Sequence, residues 1–310
     1  MFSKGLTFLP LLATTTTALY KPLPLIQAVG ETTNVTILSS GINRTYLICI
    51  PPKYDGQTLT PVIFSFHGGS RNASQQQELS QFSNPDFNDF AISIYPQGIG
   101  ETWQGAGNPD NGAHDVRFTN DMINQLESLY AIDPARIWAS GKSDGGGFTN
   151  RLACDQALSQ RIAAFAPVSG AFYVDDVAIP CDPDTVAISC DPGRPKIPIL
   201  EFHGYKDHTI DYFGNKSRKG ACVPSIPHWA QEWAARDGLS IANATTELPA
   251  TNDTLIYTFG LGEDTGLVTQ VTDLNLGHDW PSLVDVGDAQ TADFDATPII
   301  MEFFKKHSLA

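Results

Sequence analysis

Positive charge is scarce in this chain of 310 residues. Lys and Arg together number 19 against 34 Asp and Glu, which gives a formal net charge of −15 at pH 7. A surface with this balance repels phosphate backbones, so the composition argues against nucleic acid as a partner. Because 42% of the residues are hydrophobic and only 17% are charged, the disordered class is excluded as well. We expect a globular protein with a sizeable core.

Long apolar runs and paired cysteine motifs are also missing. Beyond the first eighteen residues no segment approaches the length that crosses a bilayer, so we expect no membrane partner. The cysteines form no C-x-x-C pair, which argues against a zinc site. Their number allows two disulfides and one thiol, and Cys181 and Cys190 flank a Pro/Asp-rich loop that they are able to close. The pairing stays open for the set Cys49, Cys154, Cys181, Cys190 and Cys222.

Residues 1–18 have the layout of a secretory signal peptide: one lysine, a short apolar core and a Thr-x-Ala end. The alternative, a buried helix, is disfavoured by Pro10 and a run of four threonines. Residues 19–310 contain no internal repeat or low-complexity linker, so we predict one domain there. Six N-x-[ST] sequons agree with export and predict N-glycosylation at several of the positions Asn34, Asn43, Asn72, Asn215, Asn243 and Asn252.

Short apolar runs alternate with amphipathic segments along the chain. Near-continuous apolar runs predict strands buried on both faces, as in a mostly parallel sheet, at 61–69, 90–98, 136–143, 162–170 and 196–204. Helical periodicity follows between them at 120–131, 147–161, 226–239 and 297–308. The alternation predicts the α/β class, with helices on both faces of the sheet.

One glycine-rich turn carries chemistry. Residues 141–145 read Gly-Lys-Ser-Asp-Gly, with a predicted strand before them and a predicted helix after them. This G-x-S-x-G context is typical of a nucleophile elbow, in which the Ser143 hydroxyl projects above the sheet and the Asp144 N–H faces an oxyanion. The competing interpretation is a tight turn with a capping serine.

A serine nucleophile needs a base and an acid, and in α/β-hydrolases the chain order is Ser, acid, His. Asp207 follows an apolar strand, which favours it over Asp211 and over a merely solvated role. His278 follows a strand-like run and precedes the last helix. The other six histidines lie in the wrong order or setting: His67, His114, His203, His208, His228 and His307. Ser143, Asp207 and His278 are therefore the predicted triad.

The turn "FHGGS", residues 66–70, directly follows the apolar strand "PVIFS", residues 61–65. An H-G-G turn in this position supplies the second oxyanion N–H in the same fold, and the sequence leaves Gly69 and Ser70 as alternatives. A simple glycine turn at a strand end is the competing interpretation.

Taken together, these motifs resemble the secreted fungal feruloyl esterases of type C, in the first carbohydrate-esterase family, which are related to acetylxylan esterases and polyhydroxybutyrate depolymerases. The resemblance rests on "RTYLICIPPKY", "FHGG", "YPQG", "WQGA", "GKSDGGG", "EFHGYKD" and "GHDWP", which run in order from Arg44 to Pro281. It implies the α/β-hydrolase fold, the same triad, and hydrolysis of the ester that joins ferulate to arabinose on plant cell-wall xylan.

The mechanism implied by the triad requires no metal or organic cofactor. Trp103, Phe148 and Trp280 are candidates for an aromatic acyl slot, although rings in such places more often belong to the core. Two alternatives remain: an esterase acting on acetylated xylan or a polyester, and a glycan-binding protein of this fold without turnover. The sequence leaves the oligomeric state open.

Overall fold

The computed structural model describes residues 29–105 and 112–310; the predicted signal peptide lies outside them. A ten-stranded sheet organises this part of the chain. Its strands are β1 Thr32–Ser39, β2 Ile42–Cys49, β3 Thr60–Phe66, β4 Ile92–Pro96, β5 Ile132–Lys142, β6 Ala164–Val168, β7 Ile199–Gly204, β10 Ala244–Glu247, β11 Thr254–Phe259 and β12 Val268–Asp273. They lie in the order β1-β2-β4-β3-β5-β6-β7-β12-β11-β10. A separate hairpin consists of β8 Asn215–Arg218 and β9 Ala221–Val223.

The centre of the sheet is parallel and its edges are antiparallel. Every pairing from β4 through β3, β5, β6 and β7 to β12 is parallel. The outer pairs β1–β2, β2–β4, β12–β11 and β11–β10 are antiparallel. Strands β3, β6 and β7 are buried along their whole length and β5 over its second half, whereas β1 is exposed at most positions. The predicted parallel sheet is thus confirmed for the apolar runs, and the edges differ because one side of them faces water.

Helices cover both faces, as predicted. The helices are α1 Ala73–Ser80, α2 Asp115–Leu129, α3 Asp144–Cys154, α4 Ile226–Arg236 and α5 Ala296–Lys305. Helices α2, α3 and α4 pack on the face that holds Phe64, whereas α1 and α5 pack on the opposite face, which holds Ile63. The helix predicted over 147–161 ends at Cys154, because the Asp155 carboxylate accepts the N–H of Leu158 and turns the chain. Helix α1 and strands β10 and β11 were not predicted.

Two disulfides fasten the long connection between β6 and β7. Cys154 at the end of α3 pairs with Cys190, and Cys181 pairs with Cys222 in β9. These two pairs settle the pairing that the sequence left open, and the possible closure between Cys181 and Cys190 does not form, since the loop is bonded to its neighbours. Cys49 is buried in β2 as a free thiol. Within 29–105 and 112–310, no helix combines the length and the apolar character that crossing a bilayer needs.

Candidate active site

Ser143 lies at the sharp turn between β5 and α3. Its backbone adopts φ +57° and ψ −119°, a conformation that an L-residue keeps only where its surroundings impose it. The surroundings do so here, because its N–H donates to the Val168 carbonyl at 3.0 Å and its own carbonyl accepts the N–H groups of Gly147 and Ala171 at 2.9 Å each. The hydroxyl makes no capping bond to α3, in contrast to the capping-serine interpretation. The backbone thus holds the serine in a strained turn and leaves the hydroxyl uncommitted.

The glycines around Ser143 allow close backbone approach. A Cβ on Gly141 would lie 2.5 Å from the Gly145 carbonyl oxygen, and one on Gly145 would overlap the carbonyl of Phe66 at the end of β3. A Cβ on Gly146 would lie 2.9 Å from Gly170 Cα, beside β6. Real Cβ atoms do not come this close to backbone. The first two glycines therefore let the turn close, and the third lets α3 pack against the sheet.

The predicted acid and base are in contact. His278 Nδ1 lies 2.6 Å from Asp207 Oδ2, and Asp207 is 1% exposed just beyond the end of β7. The other carboxylate oxygen, Oδ1, accepts the backbone N–H groups of Thr209 and Ile210 at 2.8 Å each. Asp211, the alternative acid, accepts the N–H of Phe213 in its own loop. A carboxylate in this position fixes the proton on Nδ1 and leaves Nε2 of a neutral imidazole as the basic atom.

Ser143 and His278 line one cavity of about 320 Å³. Its wall also contains the two glycines of the H-G-G turn, and its remaining lining is mainly polar or charged. The side chains that supply this polar lining include Arg71, Gln75, Gln76, Glu78, Lys142, Thr209 and Asp288. An ester group in this cavity would have the predicted nucleophile and the predicted base on its wall.

The electrostatics of the pair suit a base at neutral pH. Burial lowers the pKa of His278, the bond to Asp207 opposes that shift, and the charge of Lys142 adds to it. Burial would raise the pKa of Asp207, but hydrogen bonds from His203 and His278 keep it below its ordinary value. The carboxylate is therefore ionised and the imidazole neutral near pH 7, which is the combination that proton abstraction requires.

The H-G-G turn packs directly on the elbow, and its hydrogen bonds separate the two oxyanion candidates. The Ser70 N–H donates to the Glu101 carbonyl at 2.9 Å, so it is already used. Gly69 lies against Asp144, since a Cβ on Gly69 would overlap that carboxylate. Its N–H makes no backbone bond within the described ranges. Gly69 is thus the better candidate of the two.

The His67 ring supports the H-G-G turn through hydrogen bonds at both of its nitrogens. Its Nε2 accepts the Gly98 N–H at 2.9 Å, so its Nδ1 carries the proton and donates to the Gly68 carbonyl at 2.8 Å. Burial lowers the pKa of His67 to about 4, and the ring stays neutral over the range in which the triad would work. The histidine of the motif therefore shapes the oxyanion turn.

The three aromatic candidates for the acyl slot lie in the core. Trp103, Phe148 and Trp280 are 0–1% exposed, and none of them lines the cavity. Trp103 stacks on Phe148 and donates its indole N–H to the His67 carbonyl at 2.8 Å. Trp280 donates to the Thr297 hydroxyl at 3.1 Å. All three rings thus belong to the core, which is the more common role of rings in such places, and they pack beneath the turns of the candidate site.

A buried ion pair joins the nucleophile strand to the histidine loop, and sequence reasoning missed it. Lys142 and Asp288 approach to 2.9 Å with side chains 9% and 5% exposed. Asp288 also accepts the backbone N–H of Trp280, two residues beyond His278, at 2.8 Å. A lysine at the end of an otherwise apolar strand was the available signal. A second missed pair, Glu201 and His203, lies beneath Asp207 at 2.8 Å from each other.

The six sequons differ in accessibility. Five of the asparagines are exposed: Asn34, Asn43, Asn215, Asn243 and Asn252. Asn72 is half-buried, and its side chain caps α1 by accepting the Gln75 N–H at 3.0 Å. Because Arg71 and Gln75 line the cavity, a glycan on Asn72 would crowd the candidate site. Asn72 is therefore the least suitable acceptor of the six.

The chain is similar to curated feruloyl esterases. It is 31% identical over 206 residues to feruloyl esterase B of Piromyces equi, covering 63% of this chain and 36% of that protein. It is 26% identical to a probable feruloyl esterase C of Aspergillus clavatus, covering 55% of this chain and 57% of that protein. The chain is a homologue of the fungal feruloyl esterases. The predicted kinship is thereby confirmed. The matched segment covers 36% of the length of the first relative and 57% of the length of the second.

The fold agrees with this kinship. The acetyl xylan esterase from Aspergillus awamori superimposes with a TM-score of 0.60 at 17% identity, covering 89% of this chain and 99% of that one. The fold of this feruloyl esterase homologue is the α/β-hydrolase fold, as the motifs predicted. No protein-family model matches the chain.

Proposed function

We propose that the protein is a serine esterase that releases ferulate, or a similar hydroxycinnamate, from feruloylated arabinoxylan. One observation carries the proposal: Ser143 in its strained turn and His278 on a buried carboxylate line one cavity. Kinship with enzymes named feruloyl esterases supports the choice of acyl group.

In the proposed reaction His278 Nε2 takes the proton of Ser143 as Oγ attacks the ester carbonyl. Asp207 stabilises the imidazolium that forms, and the N–H groups of Asp144 and Gly69 receive the oxyanion. Each such donor contributes about 3 kcal/mol to the transition state. The imidazolium then protonates the leaving sugar oxygen, and water releases the acid by the reverse steps.

The test compares turnover of methyl ferulate with turnover of an acetyl ester. We expect ferulate release that Ser143→Ala reduces by at least about 10⁴-fold. The matched control is Ser128→Ala, which removes an exposed hydroxyl of α2 bonded to the Gln125 carbonyl and leaves turnover unchanged. Wild-type levels of hydrolysis in Ser143→Ala would exclude Ser143 as the nucleophile. Background levels with both esters in the wild-type protein would favour the glycan-binding alternative.

A second candidate is deacetylation of xylan, and the composition of the cavity favours it. Apart from His278, no aromatic ring lines the cavity among the described residues. A phenolic acyl group usually binds against apolar or aromatic side chains, whereas an acetyl group needs little such surface. Fast release of acetate with no release of ferulate would establish this candidate in place of the first.

Export to the extracellular space forms part of the proposal. Two disulfides agree with an oxidising compartment, and five exposed sequons agree with glycosylation during secretion. The signal peptide proposed at residues 1–18 would direct it. N-terminal sequencing of the secreted protein tests the cleavage, and mobility before and after glycosidase treatment tests the glycans.

A further inference from the structure

A buried pair of ionisable side chains lies directly beneath the candidate acid. Glu201 and His203 are adjacent inward positions on the same face of β7, and both side chains are fully buried. We propose that His203, held by Glu201, is a positioning residue that fixes Asp207 and, through it, His278. The inference rests on the proposed esterase function.

The pair belongs to a polar strip inside the sheet. In the pairing of β7 with β12, Gln270 lies opposite Glu201 and Thr272 lies opposite His203. Thr272 also accepts a hydrogen bond from the Gln270 amide and contacts the Tyr212 hydroxyl. Four polar residues at the centre of an apolar sheet are costly to bury. We therefore expect this buried polar cluster to have a function that apolar side chains in the same place would not fulfil.

The acceptors around His203 decide where its protons lie. Nε2 lies 2.8 Å from the Ile210 carbonyl oxygen and 3.2 Å from Asp207 Oδ2. A carbonyl oxygen only accepts, so Nε2 carries a proton. Nδ1 lies 2.8 Å from Glu201 Oε1, which holds the other side of the ring. The ring is thus fixed at both nitrogens, with Nε2 hydrogen-bonded to the Ile210 carbonyl and within 3.2 Å of the carboxylate of the candidate acid.

The carboxylate of Asp207 is held at both oxygens. Oδ1 accepts hydrogen bonds from the backbone N–H groups of Thr209 and Ile210 in its own loop. Oδ2 lies 2.6 Å from His278 Nδ1 and 3.2 Å from His203 Nε2, and no backbone donor among the described residues contacts it. The oxygen that orients the base therefore depends on His203 for its second contact. Without that contact, the two bonds to Oδ1 still hold one side of the carboxylate, but Oδ2 is able to shift, and His278 would shift with it.

Charge adds a second effect to the geometry. Burial would lower the pKa of His203, but the carboxylates of Glu201 and Asp207 raise it to about 10. The other groups facing the ring, Thr272 and Tyr212, are neutral near pH 7. A cation beside Asp207 disfavours a second cation on His278, which also faces Lys142. The pair should therefore hold the pKa of His278 down as well as hold its ring in place.

Three substitutions separate the two effects. His203→Leu removes both N–H groups, and we expect kcat to fall by about 10- to 100-fold while KM changes less than about twofold. His203→Gln restores a donor near Asp207, so it should recover most of kcat. Glu201→Gln keeps the size of the side chain but removes the charge. It should move the acid limb of kcat/KM to higher pH by about 0.5 to 1 pH unit.

The controls distinguish positioning from folding and from failure of the proposed function. Glu302→Gln makes the same change on the exposed side of α5 and should leave activity and pH profile unchanged. The far-downfield proton resonance of the His278–Asp207 bond, absent in His278→Ala, reports geometry without turnover. It should broaden or shift in His203→Leu. Unchanged kcat and resonance in folded His203→Leu would overturn the inference. If that variant does not fold, an unchanged acid limb in folded Glu201→Gln and His203→Gln, with only a lower melting temperature, would overturn it. Retained turnover in Ser143→Ala would instead overturn the proposed function.

Discussion

The two sides of the candidate site are built in different ways. The nucleophile side, residues 141–147 with the turn 67–70, is held by backbone hydrogen bonds and by glycines that permit close approach. The acid–base side, the loops around Asp207 and His278, depends largely on hydrogen bonds and ion pairs made by side chains. Asp288, for example, accepts the N–H of Trp280 and pairs with Lys142 of β5, which joins the loop of His278 to the nucleophile strand.

Because of this difference, the two sides of the candidate site should tolerate amino-acid substitutions differently. Where a backbone turn has no space for a methyl group, adding one displaces the whole turn, so all of its contacts are disturbed together. A network of side chains loses one contact at a time and keeps the others. We therefore expect the nucleophile side to be all-or-none, and the acid–base side to show a graded response once the central carboxylate is intact.

Loss of the central carboxylate should have the largest effect. Asp207→Asn removes the charge that stabilises the imidazolium and permits the wrong tautomer of His278. We expect kcat to fall by about 10⁴-fold, measured with methyl ferulate at saturating concentration. Asp211→Asn is the matched control, four residues away in the same loop, and should stay close to wild type. Equal losses in both variants would contradict the assignment of the acid.

A single methyl group should be nearly as damaging on the nucleophile side. In Gly145→Ala the new Cβ would overlap the Phe66 carbonyl, which pushes the elbow away from the oxyanion turn. We expect kcat/KM to fall by about 10²- to 10³-fold, and the free energy of unfolding by about 1–3 kcal/mol. Gly262→Ala introduces a positive-φ alanine (φ +63°) where a Cβ meets open space. It should cost some stability and no activity, so a similar loss of activity there would contradict the steric explanation.

The same difference explains what the sequence predicted. The elbow, the H-G-G turn and the central strands are local patterns of glycine and apolar residues, and they appear where the sequence indicates. Lys142 and Asp288 pair across 146 positions, which no local pattern predicts. Glu201 and His203 are close in sequence, but their relation to Asp207 appears only once the loop after β7 folds back on them. The aromatic rings were candidates for substrate contact because they lie close in sequence to predicted site residues. Their burial shows that closeness in sequence to a site does not place a side chain on its surface.

The ion pair on the acid–base side should have a moderate effect. Asp288→Asn keeps an acceptor for the Trp280 N–H but leaves the Lys142 ammonium buried without its partner. We expect the free energy of unfolding to fall by about 3 kcal/mol and kcat/KM by about tenfold. Urea denaturation of the single variants and of Lys142→Met/Asp288→Asn tests this through a double-mutant cycle. If the loss of stability in the double variant equals the sum of the losses in Lys142→Met and Asp288→Asn, the pair carries no coupling energy.

The smallest effect concerns pH. The neutral form of His278 is the base, so activity is lost as pH falls through its pKa, which burial and Lys142 hold below the ordinary value of about 6.5. The acid limb of kcat/KM should therefore lie below pH 6.5. Removing the ammonium in Lys142→Met favours the imidazolium, so the limb should move to higher pH by about half a unit. Lys305→Met, on the exposed side of α5, should not move it. A limb that moves to lower pH in Lys142→Met would show that Lys142 acts on His278 through loop position instead of charge, and the acid–base side would then resemble the nucleophile side in depending on geometry alone.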